Sequence, residues 1–155
     1  MRTSGILMPV FSLPSKYGIG CFSKEAYQFV DFLKESGQKN WQVLPLGQTS
    51  YGDSPYQSFS SFAGNPYFID LEQLVEQQLL TKEECDSFDF GKNPESIDYA
   101  RLYQNRYKIL RMACDRFLKQ PSDEFFAFCQ ENDWWLGNYA LFMVCLLYTS
   151  DAADD

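Results

Sequence analysis

Two short apolar runs, GILMPV at residues 5–10 and NWQVLPL at residues 40–46, are separated by a single amphipathic segment, and this order constrains the fold most. Ser23 stands where a helix N-cap would, and residues 24–36 place Ala26, Phe29, Val30 and Leu33 at i, i+3, i+4 and i+7. Gly37 follows as a C′ residue. The apolar runs suit buried strands, with Pro9 near the end of the first because it cannot donate to a ladder. Strand, loop, helix, strand is a βαβ unit, which predicts a parallel pair and a right-handed crossover. In parallel sheets of this kind ligands collect where loops leave the carboxyl ends of the strands.

The segment leaving the second strand there is LGQTSYGDSPYQSFSSFAGNPYFIDL, residues 46–71. It is rich in rings, Gly, Pro, Ser and Asn and nearly without charge, unlike a disordered linker. Phe59, Phe62 and Phe68 are expected to pack under the loop, and Asn65-Pro66 to fix a turn. Tyr51, Asp53, Ser54, Tyr56 and Gln57 instead alternate flat rings with short polar groups. A sugar offers a C–H face to stack on tyrosine and hydroxyls to bond Ser, Asp and Gln. Such stacking contributes about 0.5–1.5 kcal/mol per ring beyond the buried area. Composition alone leaves carbohydrate binding and plain packing both open.

Beyond the loop the chain turns helical. Asp70 is an N-cap with Gln73 at N3, ahead of an apolar face of Leu71, Leu74, Val75 and Leu79, and Thr81 with Glu84 reads as a capping box. A polar stretch precedes a longer helix over 99–119 with Leu102, Ile109, Leu110, Ala113 and Phe117 inward. Pro121 ends it, and Ser122 and Asp133 cap two more. Two strands and this many helices do not close a sheet, so the chain is expected to be the front of something larger.

The 155 residues contain no histidine, which excludes Ser-His-Asp and Cys-His catalysis and His-based metal sites within them. A net charge of −8 disfavours nucleic acid, whose phosphates need a basic footprint. No apolar run reaches the roughly 18–20 residues of a membrane span. The N-terminus makes a poor signal peptide. The five cysteines lack CxxC spacing, and so read as free thiols of a cytoplasmic protein. The last stretch, CLLYTSDAADD at residues 145–155, changes character abruptly and resembles the translation of a transposase adapter used in sequencing libraries. The expected boundary therefore lies at Val144, with 1–144 genuine and 145–155 a non-native tail.

GILMPVFSLPSKYGIG, FLKESGQKNWQVLPLG, YGDSPYQSFSSFAGNPYFIDL and WLGNYALF together resemble the N-terminal part of the 4-α-glucanotransferases of glycoside hydrolase family 77, over residues 4–144. The resemblance implies an α/β fold, strands 1 and 2 of a (β/α)8 TIM barrel plus an inserted helical subdomain, truncated. It implies transfer of α-1,4-glucan segments between acceptors with retention of configuration. The partners implied are α-1,4-glucans such as maltooligosaccharides, starch and glycogen, with no cofactor and no metal. Tyr56 is implied as the ring contacting sugar beside the cleavage point, with Ser54 and Asp53 near it. Tyr51 and Tyr103 correspond to a secondary glucan site. The catalytic carboxylates of the family come from later strands, so none is expected here. Asp53 and Asp70 do not replace them, and the polypeptide itself is expected to be inactive. Asn138, after Gly137, stands where an Asp is expected. A Gly within a helix costs roughly 1 kcal/mol relative to Ala. A non-catalytic carbohydrate-binding or interaction module is the rival class, and another glucan-active barrel of the α-amylase type a third possibility.

Overall fold

The computed structural model describes residues 2–49, 53–91, 93 and 95–151, with side chains as far as residue 146. The chain divides into two compact units, residues 1–117 and 118–155.

In the first unit, strand β1 (Gly5–Leu7) pairs in parallel with β2 (Asn40–Gln42), with Ile6 opposite Trp41. Helix α1 (Lys24–Glu35) joins them, as the apolar periodicity requires. Ala26 and Leu33 are buried, and Phe29 meets Trp41 edge-on at 5.0 Å. Gly37 takes φ +72°, a left-handed conformation that ends the helix at no steric cost to glycine. The Trp41 indole N–H donates to the Met8 carbonyl at 2.7 Å, fixing the register from the side chain as well.

Both strands are shorter than the apolar runs that announce them. Past the Met8 amide, which donates to Gln42 O, Pro9 offers no N–H and the chain enters a 3-10 turn at Val10–Ser12. Leu46 then finds its partner in the loop, where the Asn65 amide donates to its carbonyl at 2.8 Å. Nor are the strands buried. Ile6 and Trp41 share the half-covered face, whereas the alternation turns Leu7 outward at 53% exposure. Ser23 occupies the N-cap position without capping, because its hydroxyl donates to Glu25 at 2.6 Å.

The core of this unit lies between the loop after β1 and the helices. Val10, Leu13, Tyr17, Ile19 and Cys21 pack with Leu71 and Leu80, and with Leu102, Ile109 and Ala113 of α4 (Tyr99–Phe117). Helix α2 (Leu71–Glu76) is capped by Asp70, whose side chain accepts from the Glu72 amide. Helix α3 (Lys82–Ser87) has the full capping box of Thr81 and Glu84. Burial pushes the Cys21 thiol up to about 11, so it behaves as an inert core side chain.

Arg116 reaches from the last turn of α4 to α3, donating to Glu84 through Nη1 at 2.7 Å and Nη2 at 2.5 Å, and to Leu79 O at 2.9 Å. This fork, with the Thr81 amide, holds the Glu84 carboxyl down to about 2 from an ordinary 4.5. A carboxyl depressed by folding stabilises fully above its ordinary value and loses that contribution as pH falls through its folded one. The midpoint of thermal unfolding should therefore drop more steeply between pH 4.5 and 2 in the wild type than in Glu84→Gln. Equal slopes would mean that the fork does not form.

The second unit holds α5 (Asp123–Glu131), capped by Ser122, and α6 (Asp133–Asp151). Asp133 is the first residue of α6 and not its cap, because the Trp135 and Leu136 amides both donate to Asn132 O. Helix α6 continues through Gly137 and past Val144, while residues 152–155 lie outside the described residues. No helix of the described residues is long and apolar enough to cross a membrane.

Candidate functional site

The aromatic segment after β2 is folded back on itself. Antiparallel bridges join Gly47 to Gly64 and Thr49 to Ser58, drawing its two arms together. Gly47 is demanded by the crossing, since a Cβ there would come within 1.9 Å of Ser58 Oγ. Asn65 accepts from the Tyr67 amide at 2.9 Å and, with Pro66, starts the 3-10 turn Pro66–Phe68 that returns the chain to α2. The Asn-Pro pair thus makes the turn that its residue types require.

Between the arms, Asp53, Ser54, Tyr56 and Gln57 form one tight turn, in which the Gln57 amide donates to Ser54 O at 3.0 Å. Asp53 sits at φ +54°, a region that Asp tolerates better than most residues. Tyr56 stands on the crest of this turn, 74% exposed. Tyr51 lies outside the described residues. Of the three phenylalanines expected to pack beneath the loop, only Phe68 is buried, facing Phe22 at 6.2 Å. Phe59 is on the surface and Phe62 is 60% exposed, so neither packs beneath the loop within this chain.

Asp53 also lines a crevice with Thr49, Asn65, Tyr67 and Tyr99. Its room, about 10 Å³, is that of a single water, so no sugar ring enters it. Partial burial raises the Asp53 carboxyl above its usual range, and burial raises the Tyr67 and Tyr99 hydroxyls more than the nearby Asp53 does. Asp53 is the sole carboxylate among the residues lining this crevice. A retaining glycosyl transfer needs two, about 5–5.5 Å apart.

Helix α4 forms the wall beside the loop. Tyr103, 59% exposed, meets Tyr107 edge-on at 6.4 Å, and Tyr107 meets Tyr67 at 5.5 Å. A ladder of rings thus runs from an exposed tyrosine into the base of the loop. Gln48 donates to the Tyr107 hydroxyl at 3.2 Å, and Arg106 donates to two carbonyls near Tyr67. Tyr103 is legible in the sequence, whereas Gln48, Tyr67, Tyr99, Arg106 and Tyr107 join the site only through the fold. The spacing of Tyr99, Tyr103 and Arg106 along one side of a helix was the available signal. Among the described residues there is no cluster of three or more His, Cys, Asp or Glu suited to a metal ion.

A family model described as 4-alpha-glucanotransferase matches residues 8–154. A 4-alpha-glucanotransferase of Clostridium butyricum is 53% identical over 136 residues, which are 88% of this chain and 28% of that protein. One from Streptococcus pneumoniae is 49% identical over 153 residues, 98% of this chain and 30% of its own length. Among solved structures, the amylomaltase of Streptococcus agalactiae in complex with acarbose superposes with a TM-score of 0.81 at 47% identity, covering 86% of this chain and 28% of that one. The chain therefore spans less than a third of the length of these relatives.

Proposed function

The chain belongs to the 4-alpha-glucanotransferase family, and from that premise we propose that the full-length protein moves α-1,4-glucan segments from a donor to an acceptor glucan with retention of configuration. The observation that carries the reading is the exposed Tyr56 on the Asp53–Gln57 turn, beside a crevice too small for sugar, within a chain matching the family over residues 8–154. Tyr56 offers its face to a glucose ring, while Ser54 and Asp53 offer hydrogen-bonding groups to hydroxyls. Tyr103, with Tyr51, forms a second glucan contact away from the reacting centre. The parallel β1–β2 pair supports a (β/α)8 barrel in the whole protein. Its substrates are maltooligosaccharides and longer α-glucans, and its location is cytoplasmic.

In this reaction one carboxylate attacks the anomeric carbon, and a carboxylic acid protonates the departing oxygen and later deprotonates the acceptor hydroxyl. Both groups come from outside the 155 residues. What this chain supplies is register. A ring platform holds the acceptor sugar where its hydroxyl reaches the glycosyl-enzyme before water does.

Incubating the full-length protein with maltotriose tests the proposal. Glucose together with maltodextrins longer than maltotriose is the expected outcome, and the 155-residue chain alone should give neither. Glucose and maltose without longer products would indicate a hydrolase. Maltodextrin binding by the full-length protein without turnover would favour a non-catalytic carbohydrate-binding module.

A further inference from the structure

Among the described residues, Arg106 is the one cation in the core of the first unit. It is 1% exposed on α4, within the apolar stripe of Leu102, Ile109 and Ala113. Its Nη2 donates to the Tyr67 carbonyl at 3.2 Å and to the Ile69 carbonyl at 2.5 Å. The guanidinium lies 5.7 Å from the centre of the Phe90 ring. Its Nε and Nη1 are buried without a hydrogen-bond partner, and no carboxylate forms a salt bridge with it among the described residues. Stability alone favours an apolar side chain at such a place, because a buried charge that is incompletely paired is expensive.

Position accounts for the arrangement better. Tyr107, the next residue of α4, accepts from Gln48 at 3.2 Å. Helix α4 thus grips the aromatic loop at both ends, at Gln48 where it leaves β2 and at Tyr67 and Ile69 where it returns to α2. The turn carrying Asp53, Ser54 and Tyr56 is suspended between these two grips. The bridges from Gly47 to Gly64 and from Thr49 to Ser58 tie the arms of the loop to each other, and the two grips tie those arms to α4.

We propose that Arg106 is a positioning residue for the glucan-binding loop: its guanidinium latches the Tyr67 and Ile69 carbonyls to α4 and so holds the Tyr56 turn in binding geometry. Arg106 touches no sugar and acts through the backbone that carries Tyr56. The kinetic part of this inference rests on the glucan-transfer reading, whereas the latch itself does not.

The test compares wild type, Arg106→Met and Arg106→Lys in the full-length protein by hydrogen exchange without substrate and by steady-state kinetics on maltotriose. In Arg106→Met, amides of residues 46–70 should exchange about tenfold faster while those of α4 keep their protection. KM should rise about tenfold with kcat within twofold, and lysine should restore part of both. Faster exchange across all of residues 2–117, or a lower kcat at unchanged KM, would reveal a merely structural residue and overturn the proposal. So would unchanged exchange in the loop. Should Arg106→Met fail to fold, Arg106→Lys alone carries the test: exchange faster than wild type and confined to residues 46–70 supports the latch, and unchanged exchange there overturns it. If the wild type transfers no glucan, the functional reading fails and the exchange data still decide the latch.

Discussion

Tyr56→Ala in the full-length protein lowers kcat/KM for maltotriose by about 30-fold, while Tyr56→Phe stays within about threefold. The phenol ring stands in water on the crest of its turn, so its removal leaves no cavity and little change in stability. Covering one face of the ring with sugar removes on the order of 50 Å² of apolar surface from water, or about 1 kcal/mol. Face-on stacking adds about another 1 kcal/mol. Together they give about 2 kcal/mol, which converts to that 30-fold loss. Phenylalanine keeps the face and loses only the hydroxyl. A Tyr56→Ala enzyme within twofold of wild type would remove Tyr56 from the site.

Leu102→Ala should destabilise the first unit by about 3 kcal/mol, the usual order for a leucine that leaves a cavity in a rigid core. Leu102 is fully buried on the face of α4 that meets the loop after β1. With a urea slope of about 2 kcal/mol/M, the midpoint falls by about 1.5 M. Leu118→Ala, at an exposed leucine just beyond α4, should change stability by less than about 0.5 kcal/mol. Equal shifts in the two variants would mean that the core does not lie where burial places it.

The parts of the fold that were legible in the sequence are those specified locally or by period. Thr81 and Glu84 sit three residues apart, and both hydrogen bonds of their box form. Helix α1 follows its apolar period at Ala26, Phe29 and Leu33, whereas Val30, at i+4, stands 47% exposed, and the parallel pairing of β1 with β2 follows from having that helix between them. Strand length was not legible, because apolar runs continue past Pro9 and past Gln42 into segments that find partners elsewhere. The bridges within the aromatic loop were hidden for a related reason. Gly47, Thr49, Ser58 and Gly64 are small residues without alternation, and their pairing depends on chain contacts distant in sequence.

Within the candidate site the exposed tyrosines could be named from their residue types, whereas the groups that hold them could not. An arginine on an amphipathic helix reads as solvated, and only the approach of Tyr67 and Ile69 makes Arg106 a core residue. Phe62 shows the converse. Its apolar ring reads as packing, and the doubled-back loop leaves it on the surface.

A crystal structure of the full-length protein with a bound maltooligosaccharide would show directly whether Tyr56 carries sugar. A glucose ring should lie flat on Tyr56 at van der Waals distance, about 3.5–4 Å. Hydroxyls of that or the adjoining sugar should fall within hydrogen-bond reach of Ser54 or Asp53. A glucan bound elsewhere, with the Asp53–Gln57 turn covered by protein and the Tyr56 ring facing no sugar, would contradict that placement.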